Sequence, residues 1–177
     1  MFEDYLQDSH YFLTTAENNA KEGNIKNARR YFRASVFCTF GAMEAFVNYL
    51  ADSFSKGKSI PAHEILFLTD RALVFAKNKG FVERTEFHRL EDKLRLLISK
   101  FAPGFDFDSL SWNRFKEFKD LRDSLVHSRD AEDERNPSDY KTLVRSGIKS
   151  VIEIMNNIME GMSGRPLRKQ ILDLVPE

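Results

Sequence analysis

Residues 25–54 read IKNARRYFRASVFCTFGAMEAFVNYLADSF. Within them Phe32, Val36, Phe40, Met43, Val47, Leu50 and Phe54 recur at steps of three and four. At the pitch of an α-helix that spacing keeps all of these large apolar groups on one face over roughly eight turns. The stretch is predicted to be one long amphipathic helix. Upstream, Tyr5, Phe12, Leu13, Ala16 and Ala20 keep the same rhythm, and Gly23-Asn24 supplies a break suited to a tight helical hairpin.

Downstream the same period continues. Pro61 suits a first helical turn, and Ile65, Leu66, Thr69, Leu73 and Ala76 predict a helix that ends at Lys79-Gly80. Thr85 is the expected N-cap of the next helix, with a stripe of Phe87, Leu90, Leu94, Leu97 and Phe101 that stops at Pro103-Gly104. Ser109 or Ser111 is then expected to cap a helix running to about His127. Residues 130–136 form a polar, acidic connector. Asn136-Pro137-Ser138-Asp139 opens a last long helix lined by Leu143, Gly147, Val151, Met155, Ile158 and Met162. No period-two strand pattern is read anywhere. The expected fold is all-α, an up-and-down bundle of five to six helices, with one domain over residues 1–164 and a short tail or helix over 165–177.

Composition narrows the classes of activity. A chain of 177 residues suits one domain with a sizeable core, and 42% hydrophobic with 31% charged residues is wrong for a disordered protein. Lys+Arg and Asp+Glu are equal at 27 each, so any site for a polyanion must be local. The single cysteine, Cys38, excludes an internal disulfide and a multi-cysteine metal centre. The other histidines, His10, His63 and His88, show no ligand spacing, and neither a metal nor a cofactor is expected. The acidic N-terminus shows no secretory leader and no apolar run is read as spanning a membrane. The expectation is a cytoplasmic protein with no membrane partner.

One pattern carries chemistry. In Lys119-Asp120-Leu121-Arg122-Asp123-Ser124-Leu125-Val126-His127, Arg122 flanks the apolar face of its helix. Lys119, Asp123 and His127 follow at i, i+4 and i+8 as a drifting polar stripe. Asp123 is placed to accept a hydrogen bond from the His127 imidazole, and Arg122 presents a planar fork to a phosphate. His127 sits at a helix C-terminus, where the dipole favours its protonated form. An arginine anchor, a proton-transferring histidine and an orienting carboxylate suit phosphodiester cleavage. Glu44 and Asn48, at i and i+4 on the long helix, are candidate supports for Arg122. Trp112, Phe105 and Phe107, near the motif helix, are assigned to core or interface packing, with base stacking as the alternative.

The Arg122–His127 segment resembles the Arg-x4–6-His motif of the HEPN superfamily, including the polar residue after the arginine. Residues 33–48 are similar to the long apolar helix of those proteins that bears Glu and Asn, here Glu44 and Asn48. The resemblance covers most of the chain between residues 25 and 161. It implies a helical bundle that forms a homodimer with two Arg/His pairs in one cleft. It further implies metal-independent endoribonuclease activity that leaves a 2′,3′-cyclic phosphate and a 5′-OH. Arg122 and His127 would be the catalytic pair and Asp123 the polar accessory. A toxin or phage-defence setting follows, with RNA as substrate and a cognate antitoxin or regulatory protein as partner. Arg129 stands where toxins neutralised by adenylylation carry a tyrosine, which argues against an antitoxin of the nucleotidyltransferase type. The rival reading is a non-catalytic α-helical module that binds protein or RNA.

Overall fold

A computed structural model of the protein describes residues 1–57, 60–127 and 135–176. Among them the elements run α1 (Phe2–Lys21), α2 (Ile25–Gly57), α3 (Ala62–Leu68), β1 (Arg71–Ala76), β2 (Gly80–Thr85), α4 (Leu90–Phe101), α5 (Leu110–His127), α6 (Pro137–Ser163) and α7 (Lys169–Leu172). The protein is predominantly helical, with seven helices and one hairpin among the described residues.

α2 is the spine. All of its large stripe residues from Phe32 to Phe54 are at most 4% exposed. Each contributes roughly 1.5–3 kcal/mol by leaving water. α1 doubles back along α2 through a turn in which Gly23 takes φ +77°. Phe12 meets Tyr31, Ser9 meets Ser35, and Phe2 meets Phe46, so rising numbers on one helix face falling numbers on the other. That pairing is antiparallel. Ser9, Ser35 and Thr39 are fully buried and bond to one another, with Ser9 Oγ 2.6 Å from Thr39 Oγ1, so none is left unsatisfied.

α6 closes the other side, packing on α5, α2 and α4. Asn136 occupies its N-cap position without a side-chain capping bond, Pro137 opens the first turn, and Gly164 ends it at φ +67°. Two glycines let α6 approach its neighbours closely. A Cβ at Gly147 would overlap the Phe118 ring of α5, and one at Gly161 would overlap the Phe101 carbonyl of α4. Arg145 donates to Glu17 at 2.6 and 2.8 Å, tying α6 to α1. Burial opposes ionisation of Glu17, but the paired guanidinium outweighs it and holds the carboxyl below its ordinary value. The tail also docks: Leu167 and Ile171 join the same core.

The structure corrects the helix expected between Pro61 and Lys79. α3 stops at Leu68, and residues 71–85 form an antiparallel hairpin. Asp70 takes φ +57°, the left-handed conformation that turns a chain out of a helix. Leu73, Val74, Phe75, Phe81 and Val82 then favour extended backbone. The turn bonds Lys79 N–H to the Ala76 carbonyl at 2.9 Å, and Gly80 follows at φ +70°, a three-residue hairpin loop. The stripe from Ile65 to Ala76 fits both periods, and so short a run does not separate them. Thr85 accordingly ends β2 and caps no helix. α4 begins at Leu90, and Phe87 lies outside its stripe at 87% exposed. The acidic connector falls mostly on residues outside those described.

The length of α2 also bears on membranes. α2 is long and apolar enough to cross one by length and composition, because neutral residues fill the gaps between its stripe positions. More than half of that stretch is buried inside the fold, as in the core helix of a globular domain.

Asp70 also anchors the hairpin. Its carboxylate accepts the His88 backbone N–H at 2.8 Å and the buried Lys93 ammonium at 2.7 Å. Burial alone would raise its pKa, but these donors outweigh it and hold the group below its ordinary 3.8. A depressed carboxylate stabilises the fold fully above 3.8, and that stability is lost as pH falls through the lower folded value. Asp70→Asn tolerates the left-handed backbone while leaving Lys93 without a counter-charge. It is expected to lose about 1–3 kcal/mol at neutral pH and to flatten the acid limb of a urea-denaturation pH profile. In the same assay Gly161→Ala should lose about 2–3 kcal/mol by overpacking, against less than about 0.5 for Gly104→Ala, which faces open space.

Candidate functional site

α5 places the motif. Its N-terminus is capped by Ser109, whose Oγ accepts the Trp112 N–H at 3.3 Å, which settles the choice between the two serines. Trp112, Phe115, Phe118 and Leu121 are buried and Leu125 is partly so, which orients the remaining faces. Trp112 is fully buried between Phe105, Phe107 and Phe115, so the indole is a core group and not an exposed stacking platform.

Arg122 leaves the apolar face and lies over Phe40 of α2, with its guanidinium carbon 4.9 Å from the ring centroid. Phe40 in turn stacks on Phe118 at 5.1 Å. Arg122 Nη1 forms an ion pair with Asp123 at 3.2 Å, and its buried Nε has no hydrogen-bond partner. The side chain stays 27% exposed, so part of it is accessible to a ligand. Lys119 Nζ donates to the second oxygen of Asp123 at 3.1 Å.

Two expected contacts do not form. Asp123 is engaged by Lys119 and Arg122 and makes no bond to His127. The two charged donors are strong partners for this carboxylate. His127 is exposed, and no described residue bonds its ring. Glu44 and Asn48 are likewise exposed and give Arg122 no hydrogen bond or ion pair. They line instead a groove of about 840 Å³ beside Tyr5, Tyr49, Asp52 and Leu167, and a smaller one of about 260 Å³ by Lys93.

Other residues at the motif carry no signal in the sequence. Arg135 Nη2 donates to Ser124 Oγ at 2.8 Å, and Arg29 Nε donates to the Arg135 carbonyl at 2.9 Å. The C-terminal end of α5 is thereby tied to the start of α2 and to the approach to α6. Phe40 reads in the sequence only as one more stripe residue. Five residues along a helix separate Arg122 and His127 by roughly 140° around the axis and about 7.5 Å along it. The two side chains therefore diverge on one chain.

Comparison of the chain with family models, with curated proteins and with solved structures finds no match. The geometry above is the ground for a functional reading.

Phe40→Leu removes both the platform under Arg122 and the stack on Phe118. A loss of about 1–2 kcal/mol is expected by urea denaturation. His127→Ala, at an exposed helix end, should stay within about 0.5 kcal/mol of wild type.

Proposed function

We propose that the protein is a metal-independent endoribonuclease of HEPN type, acting as a cytoplasmic homodimer in a toxin or phage-defence role. The observation that carries the reading is the Arg122–His127 pair on α5. One member is a partly exposed guanidinium lying over the Phe40 ring, and the other is an exposed imidazole that no described residue bonds. Because the two diverge on one helix, a complete site needs a second copy. A two-fold axis near the end of α5 would bring two Arg122 forks and two His127 rings to one cleft.

The chemistry follows from those groups. A neutral His127 imidazole takes the proton from a ribose 2′-OH, and the oxygen attacks the adjacent phosphorus. Arg122 stabilises the charge that builds on the non-bridging oxygens. The bond to O5′ breaks, and the imidazolium of the second copy gives that oxygen a proton. The products are a 2′,3′-cyclic phosphate and a 5′-OH. Asp123 and Lys119 hold Arg122 at its edge and act as positioning residues.

A second reading has its own support. The larger groove lies on the Glu44–Asn48 face of α2 and not at Arg122, as a non-catalytic module that binds a protein or RNA would have it. Incubation of wild type and His127→Ala with cellular RNA in excess chelator separates the two. The ribonuclease reading expects fragments ending in 2′,3′-cyclic phosphate from wild type only. It expects a rate loss of about 10²-fold or more in His127→Ala and in Arg122→Ala. Equal cutting by wild type and variants, or none by wild type, overturns it. Retained partner binding by both variants would then favour the module.

A further inference from the structure

The hairpin β1–β2 packs chiefly on α3 and carries an uncovered face. Its register sets Arg71 opposite Thr85, Leu73 opposite Glu83, and Phe75 opposite Phe81. Strand alternation brings these six side chains to one side of the ribbon, and all six are exposed. Leu73 is 53% exposed, and Phe75 and Phe81 are 69% exposed each. The two rings lie 5.6 Å apart at 72° to one another, so each leaves a flat side to solvent. Neighbouring large apolar groups held in water on a projecting element mark a contact surface.

The charge around the rings is one-sided. Residues 71–89 hold five basic residues against two acidic ones in a chain whose net charge is zero. Glu83, the one acid on the ring face, is engaged by Arg71 at 3.0 Å. Lys77 and Lys79 project at the tip beside the rings, and Arg84 sits on the reverse face. All three are exposed and make no ion pair among the described residues. Flat aromatic faces beside unpaired cations match a polyanion whose own π-faces are open. Unpaired bases stack on the rings while phosphates meet the ammonium groups. A bilayer fits less well, because inserting the rings would also take the Arg71–Glu83 pair out of water.

We propose that the Phe75–Phe81 pair, with Lys77 and Lys79, docks single-stranded RNA outside the Arg122–His127 cleft. The choice of RNA rests on the ribonuclease reading, and the hairpin adds a surface that selects unpaired strands.

The test uses a fluorescein-labelled single strand of about 20 nucleotides with every 2′-OH methylated. This probe lacks the nucleophile, so binding is read apart from cleavage by fluorescence anisotropy on the full chain. Wild type is expected to bind it saturably, and a duplex of the same length at least tenfold more weakly. The double variant F75A/F81A should bind at least tenfold more weakly, with unchanged circular dichroism and Tm because both rings are exposed. K77A/K79A should weaken binding and reduce the slope of log affinity against log salt by about one. Absence of saturable binding by wild type overturns the proposal, as does wild-type affinity in F75A/F81A. Phenylalanine-dependent sedimentation with phosphatidylglycerol vesicles in place of RNA binding also overturns it, in favour of a membrane surface. Ring-dependent binding without RNA cutting would support the hairpin and sink the ribonuclease reading. Cutting without ring-dependent binding would do the reverse.

Discussion

The stack of Phe40 on Phe118 is the contact on which the rest of the structure depends. It joins the spine helix α2 to α5 with ring centroids 5.1 Å apart. Gly147 leaves the space on α6 that the Phe118 ring needs. The Arg122 guanidinium lies over the same Phe40 ring. One aromatic side chain thus joins α2 to α5 and lies under the group most suited to a phosphate.

A second constraint governs the segment between α3 and α4. Asp70 adopts a backbone that L-residues rarely take and compensates with bonds from His88 and Lys93. That junction directs the chain out of the bundle and into the hairpin. The hairpin then exposes Leu73, Phe75 and Phe81, because among the described residues no helix lies over that face. Polar groups buried at Asp70 and apolar groups exposed on the ribbon are two sides of one local arrangement.

Much of the fold was legible in the chain. The α2 stripe from Phe32 to Phe54, the break at Gly23, the start of α6 at Asn136-Pro137 and the stop at Gly164 all stand where local signals put them. Each depends on side chains within one or two turns. The hairpin was not legible as such, because Ile65 to Ala76 satisfies a helical period as well as an extended one. What separates the two is the conformation of Asp70, held by Lys93, which lies 23 residues further on. The candidate site was legible in part. Arg122, Asp123, Lys119 and His127 do share α5, and Lys119 meets Asp123 one turn away. The partnership expected between Asp123 and His127 gives way to the nearer cations. Glu44 and Asn48 face a groove instead of the arginine.

By itself, then, the sequence determined the long helices α1, α2, α5 and α6, and the residues of α5 that could carry phosphate chemistry. Those follow from periodicity and capping, which act over a few residues. Tertiary structure decided which groups hold Arg122, where Glu44 and Asn48 point, and that Phe75 and Phe81 stay in water. Each of those outcomes depends on which distant element arrives at a face. Helical period says that a face is apolar or polar, and it carries no information about the partner that covers it.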